Sequence, residues 1–336
     1  MNVSINTMPL AHHEQLINSM TTELNKRFCD DRKLPLKIYT GRIFIDRLKL
    51  FGEYDNYINY CSEVKRRFTN TQDYFEYYNK IKDNAINYIK KSEAFNSLNN
   101  VNMNDYACEY SFPQTSIYKA TNVGKKFISI DMSKANFSAL VHYGKHTETE
   151  FFGDFNYVEF MKQFTDIEHI INSKYIRQVI FGNCNPKRQV TYEKYLMGLV
   201  LHELFATDLV AEDKIHSMCS DEIIIRADEL SVENVQDIFD EVHSLCSIVP
   251  LKVEIYKLGR VDGTEAFIKK IFNDINYEDK YTYELKCVNP DEAPFVYRLI
   301  NKQPFKKADS MFWYNGRLAK FIDIPELSIN FTGGYN

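Results

Sequence analysis

Hydrophobic and polar positions follow two different periods along this chain, and the change from one to the other divides it. From about Leu10 to Asn100 the pattern is helical, polar and rich in tyrosine, interrupted near LPLKIYTGRIFIDRLKLFG by a short apolar stretch. Within TNTQDYFEYYNKIKDNAINYIKKSEAFNSL, the residues Tyr74, Tyr77, Tyr78, Ile81, Ile86 and Ile89 recur at the spacing of one helix face, which predicts a core-facing stripe. SLNNVNMNDYACEYSFPQTS, about residues 97–116, has no period and reads as a loop or domain junction.

The character then changes. In KKFISIDMSKANFSALVHYG, the run Phe127-Ile128-Ser129-Ile130 reads as a buried strand that ends at Asp131. A helix is expected from Tyr175, broken near Asn183 to Pro186 and resuming through VTYEKYLMGLVLHELFATDLV. IHSMCSDEIIIRA is an apolar run, a polar turn and a second apolar run, which predicts a hairpin with Asp221 and Glu222 at its tip. SVENVQDIFDEVHSLCSIV is an amphipathic helix with Ser231 as its N-cap, and PLKVEIYKLG is a further strand. Strand, helices, hairpin, helix and strand in this order place helices against one face of a mainly antiparallel sheet, an α+β fold. Three regions follow: a helical N-terminal region over 1–112, the sheet region over 113–258 with a helical insertion at about 145–210, and a mixed extension over 259–336 ending in a loose FTGGYN.

Composition narrows the class. With 336 residues, 44% hydrophobic and 26% charged, the chain has the make-up of a soluble globular protein with a real core. Only 12 Gly and 9 Pro argue against an all-β fold full of tight turns. The 24 Phe and 23 Tyr stand against a single Trp, and with abundant Asn, Ile and Lys they suggest A/T-rich coding, as in a viral, mobile-element or low-GC bacterial source. A net charge of −5 excludes a bulk basic footprint for nucleic acid, though it leaves local basic grooves open. The seven cysteines are scattered without a C-x-x-C pair, which points to reduced thiols in a cytoplasm rather than to structural zinc. No apolar run approaches a membrane span or signal core, so neither export nor a membrane partner is expected. The P-loop and G-x-S-x-G patterns are absent, and four residues after His202 stands Ala206, so a zincin helix lacks its second ligand.

The candidate chemistry lies in the acids. Asp131 ends one apolar strand, and Asp221 and Glu222 sit on the turn between two others. If these strands are neighbours, carboxylates converge at one sheet edge and repel unless protonated or bound to a cation. Oxygen ligands with room for water and phosphate suit Mg²⁺ or Mn²⁺, and a pair of such ions can activate a 3′-hydroxyl and stabilise leaving pyrophosphate. Between the acids lies SKYIRQVIFGNCNPKR, with Lys174, Arg177, Lys187 and Arg188. Arg177 and Phe181 are one helical turn apart, and a cation plus an aromatic ring on one face suits a nucleoside triphosphate. The same cations also suit a solvated helix face. In FKKADSMFWYNGRLAKF, Trp313, Arg317 and Lys320 interleave aromatic and basic groups, which fits either a nucleic-acid contact or a packed edge strand.

At these residues the chain resembles the palm of right-hand polymerases, most closely the DNA polymerase I-like (family A) enzymes. Asp131-Met132-Ser133 resembles the first palm motif, Arg177-x-x-x-Phe181-Gly182 the fingers-helix motif, and Ser220-Asp221-Glu222 with Ile223-Ile224-Ile225 the His-Asp-Glu hairpin. The helix leading to Val249-Pro250-Leu251-Lys252-Val253-Glu254 is similar as well, so the resemblance spans about residues 113–258. It implies an antiparallel palm sheet backed by helices, with reduced helical fingers and a thumb-like N-terminal region. It further implies a DNA-directed DNA polymerase-like nucleotidyltransferase, with primer-template and nucleoside triphosphates as partners. Asp131 and Asp221 would hold two Mg²⁺ (or Mn²⁺) ions, with Glu222 beside them. Lys174 and Arg177 would grip the triphosphate, Phe181 would lie beneath the base, and Asn136 would contact the nucleotide. Lys187, Arg188, Trp313, Arg317 and Lys320 are the weaker candidates for touching the strands.

The departures from that pattern are specific. Asn136 stands where the family has a Glu that screens out ribose, Arg177 replaces a Lys, Asn185 takes the place of the fingers Tyr, and Ser220 replaces His. The short interval from Asp131 to Asp221 leaves room for reduced fingers only, and none for a proofreading exonuclease domain of the usual size. That spacing also resembles reverse transcriptases and RNA-dependent polymerases, although Pro-Gln-Gly is missing and Glu222 replaces their second Asp. An RNA-synthesising or primase-like enzyme, or a degenerate palm serving a replication complex as a nucleic-acid-binding module, are the other expectations.

Overall fold

The computed structural model of the chain describes residues 10–149, 156–274 and 279–333. Its first helices are α1 (Leu10–Asn18), α2 (Thr22–Arg32), α3 (Gly41–Leu50), α4 (Tyr54–Arg67), α5 (Thr71–Lys91) and α6 (Glu93–Asn100). Strand β1 (Lys126–Met132) precedes α7 (Ala135–His146), α8 (Tyr157–Lys162), α9 (Glu168–Ile171), α10 (Lys174–Gly182) and α11 (Pro186–Ala206). Then come the hairpin β2 (Ile215–Met218) and β3 (Glu222–Arg226), α12 (Val232–Leu245), β4 (Leu251–Asp262), β5 (Phe267–Phe272) and β6 (Tyr281–Lys286). The described chain ends with α13 (Ala293–Ile300), β7 (Met311–Tyr314), β8 (Arg317–Lys320) and β9 (Ser328–Asn330). The fold class is α+β, a mostly antiparallel sheet backed by helices.

Two compact units alternate along the chain. One takes Met1–Ala85, Met161–Ile180 and Val288–Ser328, and the other takes Ile86–Phe160, Phe181–Cys287 and Ile329–Asn336. Boundaries at 112 and 258 do not separate them. The physical reason is plain at 258, where β4 continues to Asp262 and hands its hydrogen bonds on to β5 within the same sheet. Part of the expected insertion, residues 150–155, and the last three residues of FTGGYN lie outside the described residues.

The first unit is helical and its core is aromatic. Helix α2 opens at Thr21, whose hydroxyl accepts the Leu24 N–H at 3.4 Å, and closes with Lys33 in the left-handed region at φ 56°. Along α4 the buried positions are Tyr57, Ile58, Tyr60, Cys61 and Val64, and along α5 Tyr74, Tyr78 and Ile81 are buried in turn. Tyrosine can serve here because each phenol finds an acceptor. Tyr57 donates to Asn25 Oδ1 at 2.5 Å, Tyr60 to the Leu24 carbonyl at 3.1 Å, and Tyr78 to Asp31 Oδ1 at 2.9 Å. The apolar stretch after Leu34 forms helix α3. Strands β7 and β8 make a separate ribbon around Asn315 and Gly316, both at positive φ, the turn that matches the twist of a hairpin.

In the second unit the sheet runs β2-β3-β1-β4-β5-β6, with β9 beside β4. β1 lies antiparallel between β3 and β4, so the strand that ends at Asp131 and the hairpin strand are neighbours. Alternation along these strands sorts the side chains into two sets. Ile128, Ile130, Ile223 and Ile225 are wholly buried on one face. The opposite face changes character along its length. At one end Phe127, Ile224, Tyr256 and Leu258 form a cluster with Ile117, and at the other end stand Ser129, Asp131, Glu222, Lys252 and Glu254. Helix α12, capped by a reciprocal Ser231–Asn234 box, packs against β4 and α11. The helix break expected after Asn183 is present, with Asn185 at φ 54° and Pro186 opening α11. The expected looseness of FTGGYN is corrected at its start: Phe331 stacks on Tyr283 with centroids 6.1 Å apart and lies so close to Gly259 that a Cβ there would sit 2.5 Å from its ring.

Candidate active site

The sheet edge is built from the last residues of β1 and the tip of the β2–β3 hairpin. The Cys219 N–H donates to the Glu222 carbonyl at 2.8 Å, which closes the tip and leaves Ser220 and Asp221 at its apex. Asp131 is paired across β1 and β3 with Glu222, and one step further the Met132 N–H donates to the Asp221 carbonyl at 2.8 Å. The two aspartates expected to meet therefore do meet, at one end of the sheet.

The neighbouring acids also act on Asp131 electrostatically. Burial pushes the Asp131 carboxyl from the usual 3.8 up to about 6, and Asp221 and then Glu222 push it the same way. Lys252 and Lys269 pull it back. Lys252 is the partner of Asp131 on β4, but its ammonium lies 2.5 Å from Glu254. Glu222 is steadied separately: the buried Ser129 hydroxyl donates to its Oε1 at 2.6 Å, one pleat away from Asp131.

A fourth acid belongs to this edge and escaped the sequence reading. Glu193, on α11, is 2% exposed, and its Oε1 accepts the Asn136 Nδ2 hydrogen at 2.5 Å. Burial, then the charge of Asp221, pushes its carboxyl from 4.5 up to about 7, while bonds from Asn136 and the Ser220 hydroxyl pull it down. Ser220 also lies 3.4 Å from Asp221 Oδ1, so its hydroxyl stands between two carboxyls. The signal was present in the sequence: Glu193 shares the helical spacing of Gln189, Tyr192, Leu196 and Met197, all buried, and an acid on a buried face is unusual.

The other expected residues are dispersed. Asn136, in the first turn of α7, joins the acid edge through Glu193. Phe181 is a core residue, 1% exposed and edge-on to Phe137 at 6.3 Å, so its ring has no open face for a base. Arg188 donates to the Leu98 and Val101 carbonyls at 2.8 Å each and so caps the end of α6. Asn185 donates to Asn99 Oδ1 at 2.6 Å, and Lys187 is exposed. Lys174 is exposed and Arg177 half-buried on the part of α10 that belongs to the first unit. Trp313, Arg317 and Lys320 stand exposed on the β7–β8 ribbon, Trp313 at 46%, rather than packed as an edge strand.

Among the described residues no three or more His, Cys, Asp and Glu side chains converge in a group that could hold a metal ion alone. Asp131 and Asp221 fit a different manner of binding, in which Mg²⁺ keeps water and takes one or two carboxylates together with substrate phosphate oxygens. An acid whose proton affinity is raised by neighbouring acids, as that of Asp131 is, is the electrostatic condition that a bound cation relieves. All seven cysteines are free thiols, and among the described residues no helix is long and apolar enough to cross a membrane. In comparisons with protein-family models, curated proteins and solved structures, the chain matches none.

Proposed function

We propose that this chain is a template-directed nucleotidyltransferase, a compact polymerase palm that extends a 3′-hydroxyl from nucleoside triphosphates. The observation that supports it is the meeting of Asp131 and Asp221 at the end of the β1–β3 ladder, beside a sheet face that carries charge instead of a helix-covered apolar surface. Asp131 and Asp221 hold the cations, and Glu222, kept in place by Ser129, shapes the field beside them. Two Mg²⁺ or Mn²⁺ ions bound there supply an activated 3′-hydroxyl and charge neutralisation for departing pyrophosphate. Lys174 and Arg177 stay the cations that the resemblance assigns to a triphosphate, and Phe181, a core residue, supplies no aromatic shelf for a base. The exposed Trp313, Arg317 and Lys320 suit the sequence-independent holding of a strand, by stacking and by phosphate contact.

The test is single-nucleotide primer extension in Mg²⁺ by the wild type, Asp131→Asn and Asp221→Asn, with circular dichroism as a control for folding. Each variant should lose at least about a thousandfold in rate, because each removes a carboxylate that holds the cations. Wild-type protein that extends no primer, or full activity in either variant, overturns the assignment.

A further inference from the structure

The β7–β8 ribbon has a fixed base and an uncovered tip. At the base Phe312 packs on Phe321, which meets Phe295 of α13, and the buried Arg47 donates to the Met311 carbonyl. Asp309, 3% exposed, is paired with Arg298 at 3.1 Å and accepts the Lys306 N–H at 2.7 Å. At the tip Trp313, Tyr314 and Leu318 are 46%, 63% and 46% exposed. Register sorts them by face, because residues paired across two strands share a side and successive residues do not. Trp313 is opposite Leu318 and shares its face with Lys320, whereas Tyr314 is opposite Arg317 on the other face. Each face therefore presents one ring and one cation. The charge around them is one-sided: Lys302, Lys306 and Lys307 are exposed as well, and from Lys302 to Lys320 the one acid is the paired Asp309.

We propose that this ribbon is a clamp for single-stranded nucleic acid, in which unpaired bases stack on Trp313 and Tyr314, one on each face, while Lys320 and Arg317 meet the phosphates beside them. The inference deepens the nucleotidyltransferase reading, on which its purpose rests, to a class of strand, and the binding itself needs neither the acid edge nor Mg²⁺. A ring takes any base, because every base has a π-face, and a cation takes any phosphate, so the contact carries no sequence preference. A duplex covers the faces of its bases within its own stack. It is also too stiff to reach rings on opposite sides of one narrow tip, whereas a single strand can fold around it. Beyond the ribbon Ile322 and Ile324 are exposed too, but Asp323 and Glu326 stand exposed among them. Those acids confine a polyanion to the ribbon and oppose a broad anionic lipid surface as its partner.

Trp313 is the single tryptophan of the chain, so its fluorescence, excited above the tyrosine band, reports on the tip alone. The experiment titrates the full chain in EDTA, without triphosphate, with an oligothymidylate of about twenty nucleotides, a length that exceeds one stacking site. The emission should be quenched as bases stack on the indole, and the matching duplex should bind at least about tenfold more weakly. By anisotropy of the labelled oligonucleotide, Trp313→Ala and Tyr314→Ala should each weaken binding roughly tenfold, while Trp313→Phe, which keeps a ring, stays within about threefold. Arg317→Ala and Lys320→Ala should each flatten the dependence of log K on log salt by about 0.7. Circular dichroism checks that the variants are folded. Unchanged emission, a duplex bound as tightly as the single strand, or two ring variants that bind as the wild type does overturns the inference. So does emission that answers to anionic phospholipid vesicles and not to the oligonucleotide. Because the titration involves no catalysis, a protein that clamps the strand but extends no primer overturns the polymerase reading alone, and one that extends primers without the clamp overturns this inference alone.

Discussion

Each compact unit buries a carboxyl, and the surroundings of the two differ in sign. In the first unit Asp31, on α2, is 6% exposed, and its Oδ1 accepts hydroxyl protons from Tyr78 at 2.9 Å and Ser173 at 2.7 Å. Burial raises its proton affinity, but every other influence opposes that rise: the two hydroxyls, then the cation of Arg27, caged over the Tyr175 ring at 4.4 Å, then His169. In the second unit Asp131 also suffers burial, and the next influences, Asp221 and Glu222, add to it. One acid is answered by donors and a cation from its own fold. The other has more acid as its strongest neighbours, which Lys252 and Lys269 offset only in part. A fold gains nothing in stability from the second arrangement, so the arrangement points to a ligand that supplies the missing positive charge.

The largest expected effect concerns the answered acid. Asp31→Ala leaves two buried hydroxyls without an acceptor and removes the acid that faces Arg27, at a cost of about 3 kcal/mol in unfolding free energy by urea titration. Asp31→Asn keeps an acceptor oxygen and should lose less than half as much. If both variants are as stable as the wild type, Asp31 is as poorly served as Asp131 and the contrast between the units disappears.

The unanswered acid should behave in the opposite way. In the unfolded chain Asp131 releases its proton near the usual 3.8, and in the folded protein near 6. Between these values the folded state holds a proton that the unfolded state has lost, so stability falls as pH rises through the window. Asp131→Asn removes the penalty. After discounting for solvent screening at a half-open site, the gain is about 1 kcal/mol at pH 7.5 and close to nothing at pH 4. By the same argument Mg²⁺ should raise the melting temperature of the wild type at pH 7.5 by a few degrees, and that of the Asn variant by less. Thermal scans at the two pH values with and without the ion decide it. A destabilised Asn variant would show that Asp131 is held by donors of the fold, as Asp31 is.

The sheet that carries this edge was legible in the sequence because its signals are local. The run from Phe127 to Ile130, the polar turn expected at Asp221 and Glu222, which falls one residue earlier because Glu222 already pairs with Asp131, and the cap at Ser231 each specify their own element, and the order of the elements leaves few ways to pair them. Side-chain fates were less legible. Arg177 and Phe181 share a helix face by spacing, but the spacing does not say that Phe181 meets Phe137, which lies far away in sequence. Arg188 reads as a phosphate-binding cation until the open carbonyls of α6 come within its reach. The division into units escaped for the same reason, since it depends on contacts between distant segments. Glu193 was missed because its meaning comes from Asn136 and Ser220, which reach it from two other elements.

The smallest expected effect tests how the acid edge keeps its members apart. The Ser129 hydroxyl is the donor that holds Glu222, and it holds it one pleat back from Asp131. Ser129→Ala removes a single bond to a carboxylate that water can still reach, so the loss of stability should stay under about 1 kcal/mol. Its effect on primer extension should also be modest, below about tenfold, because Asp131 and Asp221 remain in place while the nearby charge of Glu222 becomes free to move. The variant separates two kinds of acid within one edge. If it loses as much activity as Asp221→Asn, Glu222 must itself sit on the cations, and the hydroxyl that tethers it belongs to the site rather than to the sheet.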